Sequence, residues 1–139
     1  MKVNLEYKGN MKITGTTPDN HETKFDAKPE LGGEQSAPTP MEIFLESMGS
    51  CSLMDVISIL KKKRKDIIDL KVEIDGERAE THPKVFTKVT LTYSLISNNA
   101  ELADLERVVD LSQNSYCSAS AMFQRAGCEI VTICKVTKP

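Results

Sequence analysis

The chain has 139 residues, 40% of them hydrophobic and 27% charged, proportions that fit one globular domain of ordinary size and exclude a disordered tail or a fibrous repeat. Eighteen Lys and Arg stand against 20 Asp and Glu, a formal charge of −2, so nucleic acid is not an expected partner: a dedicated binder carries a basic excess. No apolar block of signal-peptide length opens the sequence, and the most apolar stretch, Ile43 to Leu60, is broken by Glu46, Asp55 and four serines, so neither export nor membrane insertion is expected and the reading is cytoplasmic.

Short alternating runs built on Val3, Leu5 and Tyr7, then Met11 and Ile13, then Phe25, are separated by Gly9-Asn10 and by Thr17-Pro18-Asp19-Asn20. They predict three short antiparallel strands. The segment PELGGEQSAP that follows is a loop by its prolines, paired glycines and polar residues. Thr39, Pro40 and Glu42 then mark a helix start, a capping box with proline at the first helical position. The helix runs through MEIFLESMGSCSLMDVISILKKKR to a basic end that suits the negative pole of its dipole, and Asp66 is expected to close it. Its apolar residues surround the axis, so it must be enclosed.

Asp69 to Glu80 and Val85 to Ser97 read as a hairpin around Thr81-His82-Pro83. Leu102, Leu105 and Val109 predict an amphipathic helix from about Ala100 to Ser112. A third helix follows from about Ser118 to Ala126 and stops at Gly127, and Cys128 to Thr137 is a last strand. Strands and helices are segregated, which predicts an α+β class with one six-stranded sheet rather than βαβ alternation. Such a sheet covers one side of the long helix. The other side requires a second copy of the chain, hence an expected homodimer with its long helices near the twofold axis.

Four cysteines are too few for a disulfide-built scaffold, and in a reducing compartment each is filler, a ligand or a reagent. Cys51 lies mid-helix, where a small buried hydrophobe is the ordinary reading. Gly49, Ser50 and Ser52 around it forgo helix propensity, as expected if space is kept open for an approaching molecule. Cys117 opens the third helix, where unpaired N–H groups and the dipole favour the thiolate and lower its pKa. Cys128 and Cys134 share a strand about 20 Å apart, too far to be bridged to each other, and read as core. No metal site is expected, because His21 and His82 lie in turns and no paired-ligand spacing occurs. Gly32-Gly33 lacks the context of a nucleotide loop, and the run Lys61 to Lys65 reads as a solvated helix end.

The Pro-capped helix PTPMEIFLESMGSCSLMDVISILKKKR with its mid-helix cysteine, and NSYCSASAMF further on, resemble the OsmC/Ohr family of osmotically inducible and organic-hydroperoxide-resistance proteins. EIDGERAETHPKVFTKVTLTYSL resembles its OsmC-like branch. The resemblance implies one OsmC-like domain over residues 1–139: an antiparallel sheet with a long buried central helix, in an intertwined homodimer. It further implies that Cys51 is the peroxidatic thiolate attacking an organic hydroperoxide or H2O2, that Cys117 captures the sulfenic acid as a disulfide, and that an external dithiol restores the pair, with no cofactor. Family peroxidases carry a glutamate ten positions before the peroxidatic cysteine, paired with an N-terminal arginine. Here Met41 holds that position and no arginine precedes Arg64, so Arg78, Arg125 or a partner lysine is expected beside Cys51 to offset Asp55. A different reading on the same scaffold is a slow redox sensor, or a binder of an apolar ligand walled by Phe44, Met48, Met54 and Phe123.

Overall fold

Gly9 and Asn10 adopt positive φ, 95° and 52°, and turn the chain between β1 (Asn4–Tyr7) and β2 (Ile13–Thr16). Asn20, at φ 63°, does the same before β3 (Glu22–Phe25). The three strands form the expected antiparallel meander, with Leu5 opposite Gly15 and Gly15 opposite Thr23. The computed structural model describes all residues, Met1–Pro139, and divides into two compact units, Met1–Phe44 and Leu45–Pro139.

In the first unit the loop after β3 winds around one buried carboxylate. Asp26 is 2% exposed and accepts hydrogen bonds from the amides of Ala27 (2.8 Å), Glu34 (3.3 Å) and Ser36 (3.0 Å) and from Ser36 Oγ (2.6 Å). Gly33 permits this winding, because a Cβ there would lie 1.9 Å from the Ala27 carbonyl oxygen. Donation by the Ser36 hydroxyl and amide, with the other amides, holds the Asp26 carboxyl down at about 2. A carboxylate with a depressed folded-state pKa stabilises above its unfolded pKa, about 4, and loses that contribution as pH falls through the folded value. Amide exchange at Glu34 and Ser36, corrected for intrinsic rates, is therefore expected to accelerate between about pH 5 and pH 2. Asp26→Asn should flatten this dependence, and an equal slope in both proteins would refute the assignment.

Helix α1 (Pro40–Lys62) opens with the expected capping box: the Thr39 amide and hydroxyl donate to Glu42 Oε2 at 2.7 and 2.9 Å, and the Glu42 amide returns to Thr39 Oγ1 at 3.4 Å. The helix ends before Asp66. Arg64 turns left-handed at φ 55°, and the Asp66 amide donates instead to Asn99 Oδ1 at 2.8 Å. At four-residue intervals Met48, Ser52, Val56 and Leu60 are fully buried.

In the second unit β4 (Asp69–Arg78) and β5 (Phe86–Ile96) pair antiparallel, with Ile74 opposite Leu91, and β5 turns Val89, Leu91, Tyr93 and Leu95 inward on the strand's two-residue period. Then α2 (Leu102–Leu111), a π-helical turn (Ser112–Tyr116) and α3 (Ser118–Arg125) carry the chain to β6 (Glu129–Thr137). β6 lies parallel to β5, with Tyr93 opposite Cys134. The expectation of one six-stranded antiparallel sheet is thus corrected to two three-stranded sheets, ordered β1-β2-β3 and β4-β5-β6, the second of them mixed. The helical connection explains the direction: two helices between β5 and β6 carry the chain back to the end where β5 began, as a parallel pair requires. The α+β class stands.

By length and composition α1 is apolar enough to cross a membrane, contrary to the expectation drawn from Glu46 and Asp55. Three of its apolar side chains, Met48, Val56 and Leu60, are instead core residues, while Met54 is 70% exposed.

Candidate functional site

Two cysteines from distant parts of the chain meet. Cys51 lies half-buried on α1, and Cys117 lies buried at the N-cap of α3, near enough for the Cys51 thiol to act on it electrostatically. Its sulfur accepts from the Ser120 amide at 3.3 Å and the Ser120 hydroxyl at 3.1 Å, and its S–H faces the Met48 carbonyl at 3.9 Å. The Ser120 contact follows the spacing of an N-cap side chain accepting from the third helical residue, here with sulfur as acceptor. That spacing is legible in the sequence CSAS.

The helix terminus does not win the contest over the Cys117 proton. Burial pushes its pKa up, the Ser120 hydroxyl and amide pull it down, and the neighbouring Cys51 adds to the rise, so the net direction is upward. This corrects the expectation that the terminus would lower it: desolvation of a nearly buried sulfur outweighs two donors. Cys128 and Cys134 are also held as thiols. Burial, then the Glu129 carboxylate, raises Cys128; burial, then Glu106, takes Cys134 to about 11. Cys128 is buried as expected, whereas Cys134 on β6 is only half-buried.

The expectation that small residues beside Cys51 keep space open for an approaching molecule is corrected. A Cβ on Gly49 would sit 1.9 Å from Ile74 Cδ1, so glycine there lets α1 lie close on β4. Ser52 is the hub of a buried polar cluster. Its hydroxyl meets Tyr93 Oη at 2.6 Å and Ser112 Oγ at 2.9 Å, and it accepts from Gln113 Nε2 at 2.9 Å. Gln113 Nε2 also donates to Tyr93 Oη at 3.2 Å, and Ser112 Oγ to Asp55 Oδ2 at 3.0 Å. Burial first, then the thiols of Cys117 and Cys134, raises the Tyr93 phenol, against the lowering effect of Ser52 and Gln113. Together these bonds tie α1 at the residue after Cys51 to β5 and to the π-helical turn before Cys117. Asp55, expected to work against a Cys51 thiolate, is engaged by Ser112.

Beside Cys117 opens a cavity of about 370 Å3, lined by Gln113 through Ser118, Ala121, Gln124 and Arg125. Its walls are amides, hydroxyls and one guanidinium. Gln113 Oε1 is the one buried side-chain polar atom without a hydrogen-bond partner. Of the expected cations, Arg125 lines this cavity, whereas Arg78 is engaged at the hairpin end, where Nε donates to the Lys84 carbonyl at 2.7 Å and the guanidinium stacks on Phe86 at 5.9 Å. The proposed apolar walls do not line it. Met48 and Phe123 are core, Met54 is exposed, and Phe44 belongs to the first unit.

Comparison with known proteins gives a consistent picture. The model of the OsmC-like protein family matches residues 32–132. Protein YhfA of Escherichia coli (strain K12) is 33% identical over 126 residues, 91% of each chain. A hypothetical protein from Aquifex aeolicus VF5 superposes with a TM-score of 0.86 at 33% identity, over 99% of this chain and 96% of that one. An organic hydroperoxide resistance protein OsmC from Legionella pneumophila shares the fold with a TM-score of 0.69 at 16% identity, covering 97% of each chain.

Proposed function

We propose that this chain, which belongs to the OsmC-like protein family, is a thiol-dependent peroxidase that reduces organic hydroperoxides and H2O2 as a cytoplasmic homodimer. The observation that carries the reading is the proximity of Cys51 and Cys117, whose sulfur faces the Met48 carbonyl of α1 at 3.9 Å, while Cys128 and Cys134 lie beside and on β6 with pKa values raised by burial. A structural neighbour whose name records organic hydroperoxide resistance adds support. The Cys51 thiolate attacks the outer peroxide oxygen and the O–O bond breaks. The alkoxide takes a proton and leaves as alcohol, and Cys51 becomes a sulfenic acid. Cys117 displaces the hydroxide, which leaves as water, and a Cys51–Cys117 disulfide forms. An external dithiol, or two equivalents of a thiol, then restores both sulfurs and carries away the two electrons as its own disulfide.

The homodimer rests on exposed apolar surface. Met54, Tyr116 and Met122 are 70%, 62% and 68% exposed in the single chain, large apolar side chains that a second copy would cover. The test of function is catalytic consumption of cumene hydroperoxide with excess dithiothreitol. Turnover above the thiol-only blank is expected, with the protein eluting at twice its chain mass in size exclusion. A rate equal to the blank contradicts the peroxidase, and a monomeric elution contradicts the dimer.

A further inference from the structure

Ser120 is fully buried in the first turn of α3, a position where alanine would favour the helix more. A serine hydroxyl inside a helix ordinarily donates back to a carbonyl three or four residues earlier. Here it donates to Cys117 Sγ at 3.1 Å, beside the Ser120 amide, which donates to the same sulfur at 3.3 Å. Capping explains the amide, since a backbone N–H at a helix start needs an acceptor. It does not explain the hydroxyl, which no helix start requires. Two donors on one sulfur favour its anion, because a hydrogen bond to a charged acceptor is about twice as strong as one to a neutral acceptor. Cys117 is 3% exposed, so water supplies little of that stabilisation.

From this convergence we infer that Ser120 is a catalytic residue of the resolving step, its hydroxyl and amide holding Cys117 Sγ as the nucleophile that closes the bridge to Cys51. The inference rests on the peroxidase reading for the sulfenic acid that is attacked. In the step Cys117 gives up its S–H proton, its sulfur attacks Cys51 Sγ, the S–O bond breaks and the Cys51–Cys117 disulfide forms. The departing hydroxide takes up a proton and leaves as water. Ser120 keeps its own proton throughout, donating to the sulfur while charge gathers there. Burial opposes the anion at this position, and the two Ser120 donors offset part of that opposition. The other titratable and charged groups around Cys117 are Cys51 and Asp55 on α1, the latter held by Ser112, Tyr93 on β5 with Cys134 of β6 opposite it, and Arg125 at the end of α3. The Tyr93 phenol is raised by burial and Cys134 is raised to about 11, so both stay protonated while Cys117 begins to ionise.

The test loads Cys51 with dithiodipyridine at about pH 5, where the buried thiols are protonated, and removes the excess reagent. Peptide mass spectrometry confirms a single adduct, on Cys51, whose sulfur then has no proton to titrate. A pH jump starts closure: Cys117 attacks Cys51 Sγ, displaces thiopyridone and forms the same disulfide without any peroxide. Ser120→Ala is expected to close about three- to tenfold more slowly than the wild type at about pH 7. The difference should shrink as pH rises toward about 10.5, because the variant's sulfur is the stronger nucleophile once ionised. Alanine removes one atom and suits a helix, so the fold is expected to hold, which the melting curve checks. Ser120→Thr keeps the hydroxyl and should retain the wild-type pH dependence at whatever rate its added methyl permits. A purely structural serine predicts the same slowing at every pH. Such a constant ratio, equal rates in the wild type and Ser120→Ala, or a Ser120→Thr profile that matches alanine's would overturn the inference. Closure with the expected pH pattern in a protein that hydroperoxide does not oxidise would sink the peroxidase reading alone, and a loaded wild type that never releases thiopyridone would sink both.

Discussion

Serine in place of Cys51 is expected to lower hydroperoxide turnover by at least about 100-fold, because a hydroxyl at neutral pH supplies almost no nucleophile where a thiolate would attack. The same change at Cys117 has a different signature. Cys117→Ser removes the partner that closes the bridge, so Cys51 is oxidised once and stops as a sulfenic acid, which dimedone labels on the peptide containing Cys51. Cys51→Ser should take no dimedone at all, since burial holds the remaining cysteines in the thiol form: upward for Cys117 and Cys128, and at about 11 for Cys134. Label on Cys117 in the Cys51→Ser protein would reverse the two roles, and wild-type turnover in both variants would remove these sulfurs from the chemistry.

The second large effect is on stability and falls one residue away. Ser52→Ala takes out a hydroxyl that touches Tyr93, Ser112 and Gln113 at 2.6 to 2.9 Å in a fully buried position. The partners keep their polar atoms and lose the group that satisfied them, the costly way to break a hydrogen bond. A loss of about 2–4 kcal/mol is expected, a fall in Tm of roughly 5–15 °C. Ser50→Ala is the control. Ser50 is exposed and bonds only to the Ser47 carbonyl of its own helix, so that change should stay within about 0.5 kcal/mol of the wild type. A Ser52→Ala protein as stable as the control would show that the cluster is incidental. Its bridge should also close more slowly at unchanged Cys51 reactivity, because Ser52 and Gln113 anchor the two segments that present the sulfurs.

What could be read in advance was local. The Thr39–Glu42 capping box depends on residues three apart, the N-terminal turns on Gly9, Asn10 and Asn20, and the inward face of β5 on a two-residue alternation. Each of these is written within a few neighbouring positions. The direction of β6 is not, because its partner β5 lies beyond two helices, and a strand's residue pattern is the same for a parallel or an antiparallel neighbour. The Ser52 cluster was invisible for the same reason: Tyr93 and Ser112 lie 41 and 60 residues further on. Gly49 shows how a correct observation acquires the wrong cause. Glycine in mid-helix did signal a close approach, but what approaches is Ile74 of β4 rather than a substrate. At Cys117 two opposing effects were each predictable in sign, a helix terminus that lowers the pKa and burial that raises it. Which one dominates depends on how deeply the sulfur is packed, a tertiary quantity.

The central claim is that Cys51 and Cys117 form one reacting pair. Its most direct test is a peptide map, without reductant, of protein treated with one equivalent of cumene hydroperoxide and then alkylated. A single bridged species joining the Cys51 and Cys117 peptides is predicted, with Cys128 and Cys134 alkylated in full. Free Cys51 and Cys117 after that treatment, or a bridge running to Cys128 or Cys134, would contradict it.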